Sequence, residues 1–453
     1  MSTQAAVFGT LLVLLSTTAG GAVIGGAQTE VVVIDACQTI SESGEYRLGQ
    51  NISNQGREAC LNVTASDVAI DGAGYTIDGP AQGAAILVEG AGTLTDVTIE
   101  NLSVQRRSGG IQLHGVDGGA VQNLVLKHGD VTGAIYLDNT TDVTVANNDI
   151  SHSMFGIVLD HADGNTVVEN NFRENHLAQE TLIIDDSSDN DITNNRFVEG
   201  TVDVRPDAPG NTIVGNTFQT DGRTYQSTAF LIRSDNNVIA ENRIKNVETG
   251  IAVTGSNNNV HDNHITGATE FAITARATGQ TIEENTLVGS GEGIDMAGGG
   301  IQLDGGDHVV TRNILTDNVH GIEVRAVSDS MTIERNRFTS NNIGIEIHET
   351  ALCGAGGEGA ELIEIHENDI VKSHAYGVVN HDSDVVDATN NYWGSSDGVS
   401  SHESASGTVV DPVSGTEADG SGDAVSARRG TNTASVQFDG WLDSPVFDAT
   451  AEA

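Results

Sequence analysis

The sequence predicts an all-β fold, a single-stranded right-handed parallel β-helix built as a solenoid of about fourteen rungs. Two observations predict it. A short motif recurs along most of the chain, and each copy holds short strands of alternating apolar and polar residues without the 3.6-residue period of a helix. A unit of this size cannot bury its own apolar face, so the copies must stack on one another.

An asparagine marks each copy of the motif, after an alternating strand and before a large apolar residue, as in VTVANNDI and TIEENTL. The aligned residues are Asn148, Asn170, Asn195, Asn216, Asn242, Asn263, Asn285, Asn313, Asn336, Asn368 and Asn391, with Leu102 and Leu124 in two earlier copies. Their mean spacing of about 24 residues fits one coil of a β-helix and is too short for a propeller blade. A side-chain amide at a fixed turn can bond to neighbouring rungs, so a structural role is predicted for this column.

The N-terminal segment is predicted to be a signal peptide. An apolar stretch runs from Ala5 to Leu15, and small residues follow through Ala27. A retained anchor is the alternative, because no Lys or Arg precedes the stretch. No other run approaches membrane length, so the mature chain is expected to be extracellular or on the cell surface. The predicted parts are the signal peptide, N-terminal rungs, β-helix repeats and a C-terminal cap, over residues 1–27, 28–94, 95–394 and 395–453.

Three cysteines occur in the chain. Cys37 and Cys60 lie 23 residues apart near the start of the mature chain, and Cys353 stands alone in a Gly-rich stretch. In an oxidising compartment the first two are predicted to form a disulfide, which is worth about 3 kcal/mol by the loop-entropy model. No spacing of Cys and His supports a zinc site.

The charge of the chain is extreme, with 64 acidic against 20 basic residues and a net charge of -44. Nucleic-acid binding is not expected, because phosphate contacts need clustered Lys and Arg and the chain has three lysines. Carboxylates hold water and cations at a surface where molar salt screens their repulsion, which is typical of halophiles such as haloarchaea. The alternative is an ordinary acidic secreted protein.

The repeats resemble the right-handed parallel β-helix family that includes the NosD-like and carbohydrate-binding/sugar-hydrolase (CASH) domains of the pectate-lyase-like superfamily. Residues 31–79, with SGEYRL and VAIDGAGYTIDG, are similar to the first rungs of that family. NNYWGSSDG at 390–398 and VQFDGWLDSP at 436–445 are similar to its closing rungs. The resemblance implies the fold and leaves the activity open, because the family holds lyases, hydrolases, epimerases, adhesins and accessory proteins.

Three functions are therefore weighed. The first is a secreted or cell-surface protein that binds extracellular polysaccharide or has a structural role, and the second is a polysaccharide-modifying enzyme. No catalytic residues are assigned, because the pair Asp185-Asp186 stands without the other residues that the family's hydrolases need, and Val379 replaces the Asp of an epimerase-like motif. The third is a NosD-like copper accessory, which the widely separated Met154, Met296 and Met331 disfavour.

The candidate binding residues come from a Gly-Ile-x-Val frame, which recurs in copies such as Gly250-Ile251 and Gly321-Ile322. Ile and Val alternate inward, so x and the residue after Val point outward. On the C-terminal rungs, with His381 as the next position, these residues are Asp295, Glu323, Arg325, Glu346, His348 and His381. Carboxylates stacked at one rung spacing repel each other, so this column needs a cation, an arginine or a proton.

Two long repeat intervals predict inserted loops, residues 297–304 and 349–362, after the same strands. Long loops beside a rigid face commonly form binding sites. We therefore predict that the six residues bind a cation, a charged glycan or both, and calcium is the ion that oxygen-rich sites prefer. The alternative is a salt-adapted acidic surface without a ligand.

Overall fold

The structure is a computed structural model. It describes residues 31–53, 59–79, 83–105, 109–127, 133–175, 180–220, 228–291, 298–349, 359–402, 405, 407–428 and 431–447. The predicted signal peptide, Asp295, Met296 and Cys353 lie outside the described residues.

The described chain winds as a parallel β-helix of about fourteen coils, so the predicted all-β solenoid is confirmed. Its strands form a 14-stranded sheet and a 32-stranded sheet. The larger sheet consists of two faces that two long strands, Ala84–Glu100 and Gly109–Gln122, join by running across both. The cross-section therefore has three faces, which we call A, B and C, and the pairings between their described strands are parallel.

Besides the two long strands, face A consists of Gln38–Ile40, Ala59–Val63, Ile135–Asp138, Ile157–Asp160, Glu180–Asp185, Thr201–Val204, Thr228–Ile232, Thr249–Val253, Phe271–Ala275, Gly299–Gly305, His320–Val327, Ile343–Ile347, Tyr376–Asn380, Ser400–Ser401 and Ala424–Val425. Face B consists of Val32–Ile34, Gly44–Leu48, Val68–Asp71, Thr144–Ala146, Thr166–Val168, Asp191–Thr193, Thr212–Val214, Val238–Ala240, Asn259–His261, Thr281–Glu283, His308–Thr311, Met331–Glu334, Ile363–His366, Val386–Asp387 and Val436–Gln437. Face C consists of Ile52–Ser53, Thr76–Asp78, Ser103–Gln105, Val125–Lys127, Asp149–Ser151, Asn171–Arg173, Arg196–Val198, Thr217–Gln219, Arg243–Lys245, His264–Thr266, Thr286–Val288, Ile314–Thr316, Arg337–Thr339 and Asp369–Val371. A short 3-10 turn covers Ala360–Leu362.

The core is a stack of equivalent residues. On face A, Ile273 pairs in register with Ile251 before it and Ile301 after it, and all three are fully buried. On face C, the rings of Phe172 and Phe197 stack with centroids 4.7 Å apart. Alternate strand residues point to opposite sides, so the same stacking that fills the interior aligns the outward residues into columns.

The asparagine column forms the ladder that the sequence predicts, at the turn between faces B and C. Asn285 is typical, because its Nδ2 donates to the carbonyl of Val260 at 2.8 Å and to Oδ1 of Asn313 at 3.0 Å. Its own Oδ1 accepts from the backbone and the amide of Asn263, at 2.9 and 3.0 Å. Each amide thus ties together neighbouring coils from a fully buried position in the turn.

A second ladder, which sequence analysis missed, lies at the corner between faces A and B. It consists of Asn165, Asn190, Asn211, Asn237, Asn258, Gln280 and His308. The ladder ends at His308, whose Nδ1 accepts a hydrogen bond from the backbone N–H of Gln280 at 3.2 Å. The proton of the neutral ring therefore lies on Nε2, beside the carbonyl of Asp304. Burial lowers the pKa of His308, consistent with a neutral ring.

The two ends of the solenoid are secured differently. Near the start, Cys37 and Cys60 form a disulfide. Near the end, Trp393 is fully buried in the core, and Trp441 packs against Gly398, where a φ of +87° and the indole ring leave no room for a side chain. No helix among the described residues is long and apolar enough to cross a membrane.

Candidate functional site

Face A carries two columns of outward residues that form the candidate site. The first, the floor, holds the residue between the two inward positions of each strand: Asp203, Leu231, Ala252, Thr274, Gln302, Glu323, Glu346 and Val379. The second, the rim, follows the last inward residue: Arg205, Arg233, Thr254, Arg276, Asp304, Arg325, His348 and His381.

The floor is recessed below the rim. Asp203, Gln302 and Glu323 point away from the core, yet they are only 0%, 3% and 4% exposed. The side chains of Arg276 and Arg325 on the rim are 60% and 47% exposed. Face A therefore presents a trough along the axis of the solenoid, and polar residues on its floor are interspersed with apolar ones such as Leu231 and Ala252.

Five of the six predicted site residues meet at the C-terminal end of this trough. Arg325 donates from Nε to Oε1 of Glu323 at 2.8 Å. Nε2 of His348 lies 2.7 Å from the same oxygen and 3.9 Å from Oε2 of Glu346. Nε2 of His381 lies 2.9 Å from the other oxygen of Glu346. The structure thus joins these side chains into one network, which we call the Glu346 cluster.

The sequence-based register of this column is wrong at one rung. The residue that pairs with Glu323 on the preceding coil is Gln302, not Asp295, which lies outside the described residues. Two Gly-Ile pairs, at 293–294 and 300–301, fit the frame, and the strand Gly299–Gly305 uses the second. The extra residues therefore precede this strand, so the loop predicted over residues 297–304 is largely strand.

Sequence analysis also missed His320, whose Nε2 lies 2.9 Å from Oε2 of Glu346. The Gly-Ile-x-Val frame gave no signal for it, because His320 lies two residues before the inward Ile322 and simple alternation would direct it inward. Three imidazoles thus surround Glu346, whose side chain is only 13% exposed.

The Glu346 cluster holds its carboxylates ionised. The hydrogen bond from His320 is the main cause that lowers the pKa of Glu346 to about 2. Burial acts to raise the pKa of Glu323, but hydrogen bonds from His348 and Arg325 outweigh it and the pKa is lowered. The hydrogen bond to Glu323 raises the pKa of His348, and that of His320 is raised although burial opposes it. Carboxylate and imidazolium therefore stabilise each other here.

The contribution of this cluster to stability should be greatest between about pH 4.5 and about pH 6.5. The pKa of Glu346 is depressed from 4.5, so its contribution is complete above pH 4.5 and is lost as the pH falls towards 2. The raised pKa values of His320 and His348 give a contribution that is complete below pH 6.5 and is lost at higher pH. The difference in melting temperature between the parent and Glu346→Gln should therefore peak inside this window. A difference that does not change with pH would contradict the assignment.

The trough is electrostatically unlike the rest of the chain. From Asp203 to His381 its floor and rim contain four carboxylates and four arginines, whereas the whole chain has 64 acidic and 20 basic residues. Protonated imidazoles add further positive charge. A ligand with negative charge is repelled less along this section than over an average part of the surface.

The rim column continues as an acidic run towards the N-terminal end of face A. Asp138, Asp160 and Asp185 pair in register, and the ligand atoms of Asp138, Asp160 and His161 lie within 4.8 Å of one another. Asp160 also accepts from the hydroxyl of Tyr136 at 2.5 Å. This arrangement is compatible with a cation, and calcium binding stays a prediction.

Soft metal donors are dispersed among the described residues. Met331 is buried in the core, Met154 lies several coils away, and Cys37 and Cys60 are joined in the disulfide. The imidazoles of the Glu346 cluster each face a carboxylate oxygen.

Sequence and structure comparisons identify similar proteins. A family model described as periplasmic copper-binding protein (NosD) matches residues 22–231 and 207–356. No curated protein matches the chain. A tailspike protein mutant of E. coli bacteriophage HK620, solved with a pentasaccharide, is 11% identical with a TM-score of 0.47, over 78% of this chain and 71% of that one.

Two further solved structures are similar at the same low level. A mannuronic acid specific polysaccharide family 6 lyase from human gut microbiota is 12% identical with a TM-score of 0.38, over 79% of this chain and 80% of that one. PfbA, a surface adhesin of Streptococcus pneumoniae, is 14% identical with a TM-score of 0.37, over 71% and 86%. Similarity of this kind concerns the path of the backbone and not the chemistry of a site.

Proposed function

The chain belongs to the family of periplasmic copper-binding proteins (NosD), and we propose that it binds glycans rather than copper. In this proposal the protein is secreted or displayed at the cell surface, and its trough holds an extracellular polysaccharide along the axis of the solenoid.

The described donors do not fit a copper(I) site. Copper(I) prefers thiolate and thioether ligands, with imidazole as a further donor. The described methionines are separated, one of them is in the core, and the two described cysteines are oxidised. A copper site would have to draw on residues such as Met296 and Cys353, which lie outside the described residues.

The observation that carries the glycan proposal is the recessed, charge-balanced trough. Sugars are recognised by hydrogen bonds to their hydroxyl groups, and ionised carboxylates are the strongest acceptors for such donors. Glu323 and Glu346 supply acceptors on the floor, while Arg276 and Arg325 supply exposed donors on the rim. A guanidinium can also hold a sugar carboxylate with two parallel hydrogen bonds.

The test is a glycan-binding screen at high salt, followed by the double variant Glu323→Gln and Glu346→Gln. Loss of two charged acceptors should weaken binding more than about 100-fold, because each hydrogen bond to a charged group is worth about 1.5 to 3 kcal/mol. The matched control replaces Glu283 and Glu334, which point outward on face B, and should bind as the parent does. Unchanged binding by the trough variant would leave face A as salt-adapted surface.

An enzymatic function is the second candidate, and one feature favours it. Burial raises the pKa of Asp304, against the effect of Arg276 and Arg325, whereas the pKa of Glu323 is lowered. Carboxyl groups whose pKa values are shifted in opposite directions can act as acid and base in glycoside hydrolysis when they also lie at the required separation. Release of reducing ends from a bound polysaccharide, abolished by Asp304→Asn, would support it. A bound polysaccharide that stays intact would contradict it.

A further inference from the structure

A second polar cluster lies in the trough at Asp203, on the floor of the strand Thr201–Val204. Its Oδ2 accepts from Nη2 of Arg233 at 2.9 Å and lies 3.5 Å from Nε of Arg205. Arg205 also donates to Asp185 at 2.6 Å and to Glu180 at 3.3 Å. These five residues, Glu180, Asp185, Asp203, Arg205 and Arg233, are called the Asp203 cluster.

One oxygen of this cluster has no partner. Oδ1 of Asp203 accepts no hydrogen bond, although it is a polar atom of a fully buried side chain. A buried carboxylate oxygen without a donor is costly, and in a native structure it calls for a partner such as a water, an ion or a ligand group. The partly exposed guanidinium groups of Arg205 and Arg233 contact the other oxygen, Oδ2, and long side chains of this kind can move aside for a ligand.

The missing partner is a hydrogen-bond donor and not an anion. The cluster holds three carboxyl groups against two arginines, so a further negative charge would be repelled. The neighbouring floor residues are the apolar Ile183 and Leu231, which offer no polar contact of their own. A hydroxyl group on an otherwise apolar sugar face fits these surroundings.

We propose that the Asp203 cluster is a second subsite for the same polysaccharide and that a sugar hydroxyl donates its hydrogen bond to Oδ1 of Asp203. This proposal rests on glycan binding by the trough. Asp203 and Glu323 are five coils apart, which is about 24 Å at the spacing of stacked strands. A ligand that reaches both subsites is therefore elongated. Once it is bound at one subsite, its contact with the other is intramolecular and raises the overall affinity.

The test uses a length series of oligosaccharides prepared from a polysaccharide that the parent binds, with affinity measured by calorimetry. Affinity for the parent should rise in a step at the length that spans both subsites. Asp203→Asn should remove that step, about 10-fold in affinity, and leave short oligosaccharides unaffected. The reason is the orientation of the new amide. Both arginines donate to Oδ2, so the oxygen of the asparagine must take the place of Oδ2. Its NH2 group then lies where Oδ1 was, and a donor replaces the acceptor.

Two further variants make the outcome decisive. Asp203→Leu continues the apolar floor of Ile183 and Leu231 and should lose the same step, which guards against a local effect of the amide. Asp149→Asn, on face C beside Arg173, is the matched control and should keep the step.

A step that persists in both Asp203 variants overturns the subsite and leaves glycan binding by the trough intact. Failure of the parent to bind any glycan overturns the proposed function itself. Binding of calcium alone that Asp203→Asn abolishes would identify a cation as the partner of Oδ1 and also overturn the subsite.

Discussion

Asn285→Ala is expected to lower the free energy of unfolding by about 4 kcal/mol, through lost hydrogen bonds and a small cavity. The substitution leaves the carbonyl of Val260 without the amide that it accepts from. It also leaves the backbone N–H of Asn263, which is a buried residue, without its acceptor. Because each coil is stabilised chiefly by its neighbours, a defect in one rung affects the rungs on both sides.

Chemical denaturation followed by circular dichroism measures this effect. The control is Asn342→Ala, since Asn342 is exposed and its side chain stands outside the ladder. A control that unfolds with the parent, beside an Asn285 variant with a clearly lower midpoint, is the expected pattern. Equal midpoints for the two variants would show that the ladder adds little to stability.

Stability is also expected to rise steeply with salt, by about 10 °C or more in melting temperature between about 0.1 M and about 3 M KCl. Like charges 4 Å apart repel by about 1 kcal/mol even in water, and salt shortens the range of this repulsion to a few ångströms. The solenoid multiplies such pairs, because equivalent residues on successive coils are stacked. Glu241, Asp262 and Glu284 are an example, exposed at the same turn of three successive coils.

The double variant Glu241→Gln and Asp262→Asn isolates the electrostatic part of this effect, because it leaves the ion pair between Glu284 and Arg312 in place. It should melt higher than the parent at low salt and gain less from added KCl. A non-ionic osmolyte at matched osmolality should raise the parent's melting temperature much less than KCl does. Equal melting temperatures of the parent at both salt concentrations would count against salt adaptation.

Most of the fold could be predicted from the sequence because the same residue pattern recurs in many coils. Ile and Val at alternating positions define the interior, and the asparagine defines the turn between faces B and C. The second ladder was harder to find, since it appears only as an asparagine five residues before the first, as in Asn190 and Asn195. Gln280 and His308 continue it with other residue types, which a search for asparagine does not detect.

The site was only partly predictable. Glu323, Glu346 and His348 followed from the alternation of strand residues, but the register failed at Asp295 because two Gly-Ile pairs satisfied the same frame. Asp203 was missed because its strand reads TVDV and lacks the Gly-Ile signature. Whether an outward residue is recessed depends on side chains from neighbouring coils, and that relation is not encoded in any single repeat.

The turn between faces B and C and the connections that lead into face A differ in how many inserted residues they tolerate. Two residues separate face B from face C at the asparagine turn, both between Glu283 and Thr286 and between Glu334 and Arg337. The connections that lead into face A vary, from two residues between Val198 and Thr201 to ten between Val288 and Gly299. Insertions and deletions can therefore accumulate along the borders of the trough while the asparagine corner keeps its length. Related chains can thus differ in the loops that border face A at little cost in stability.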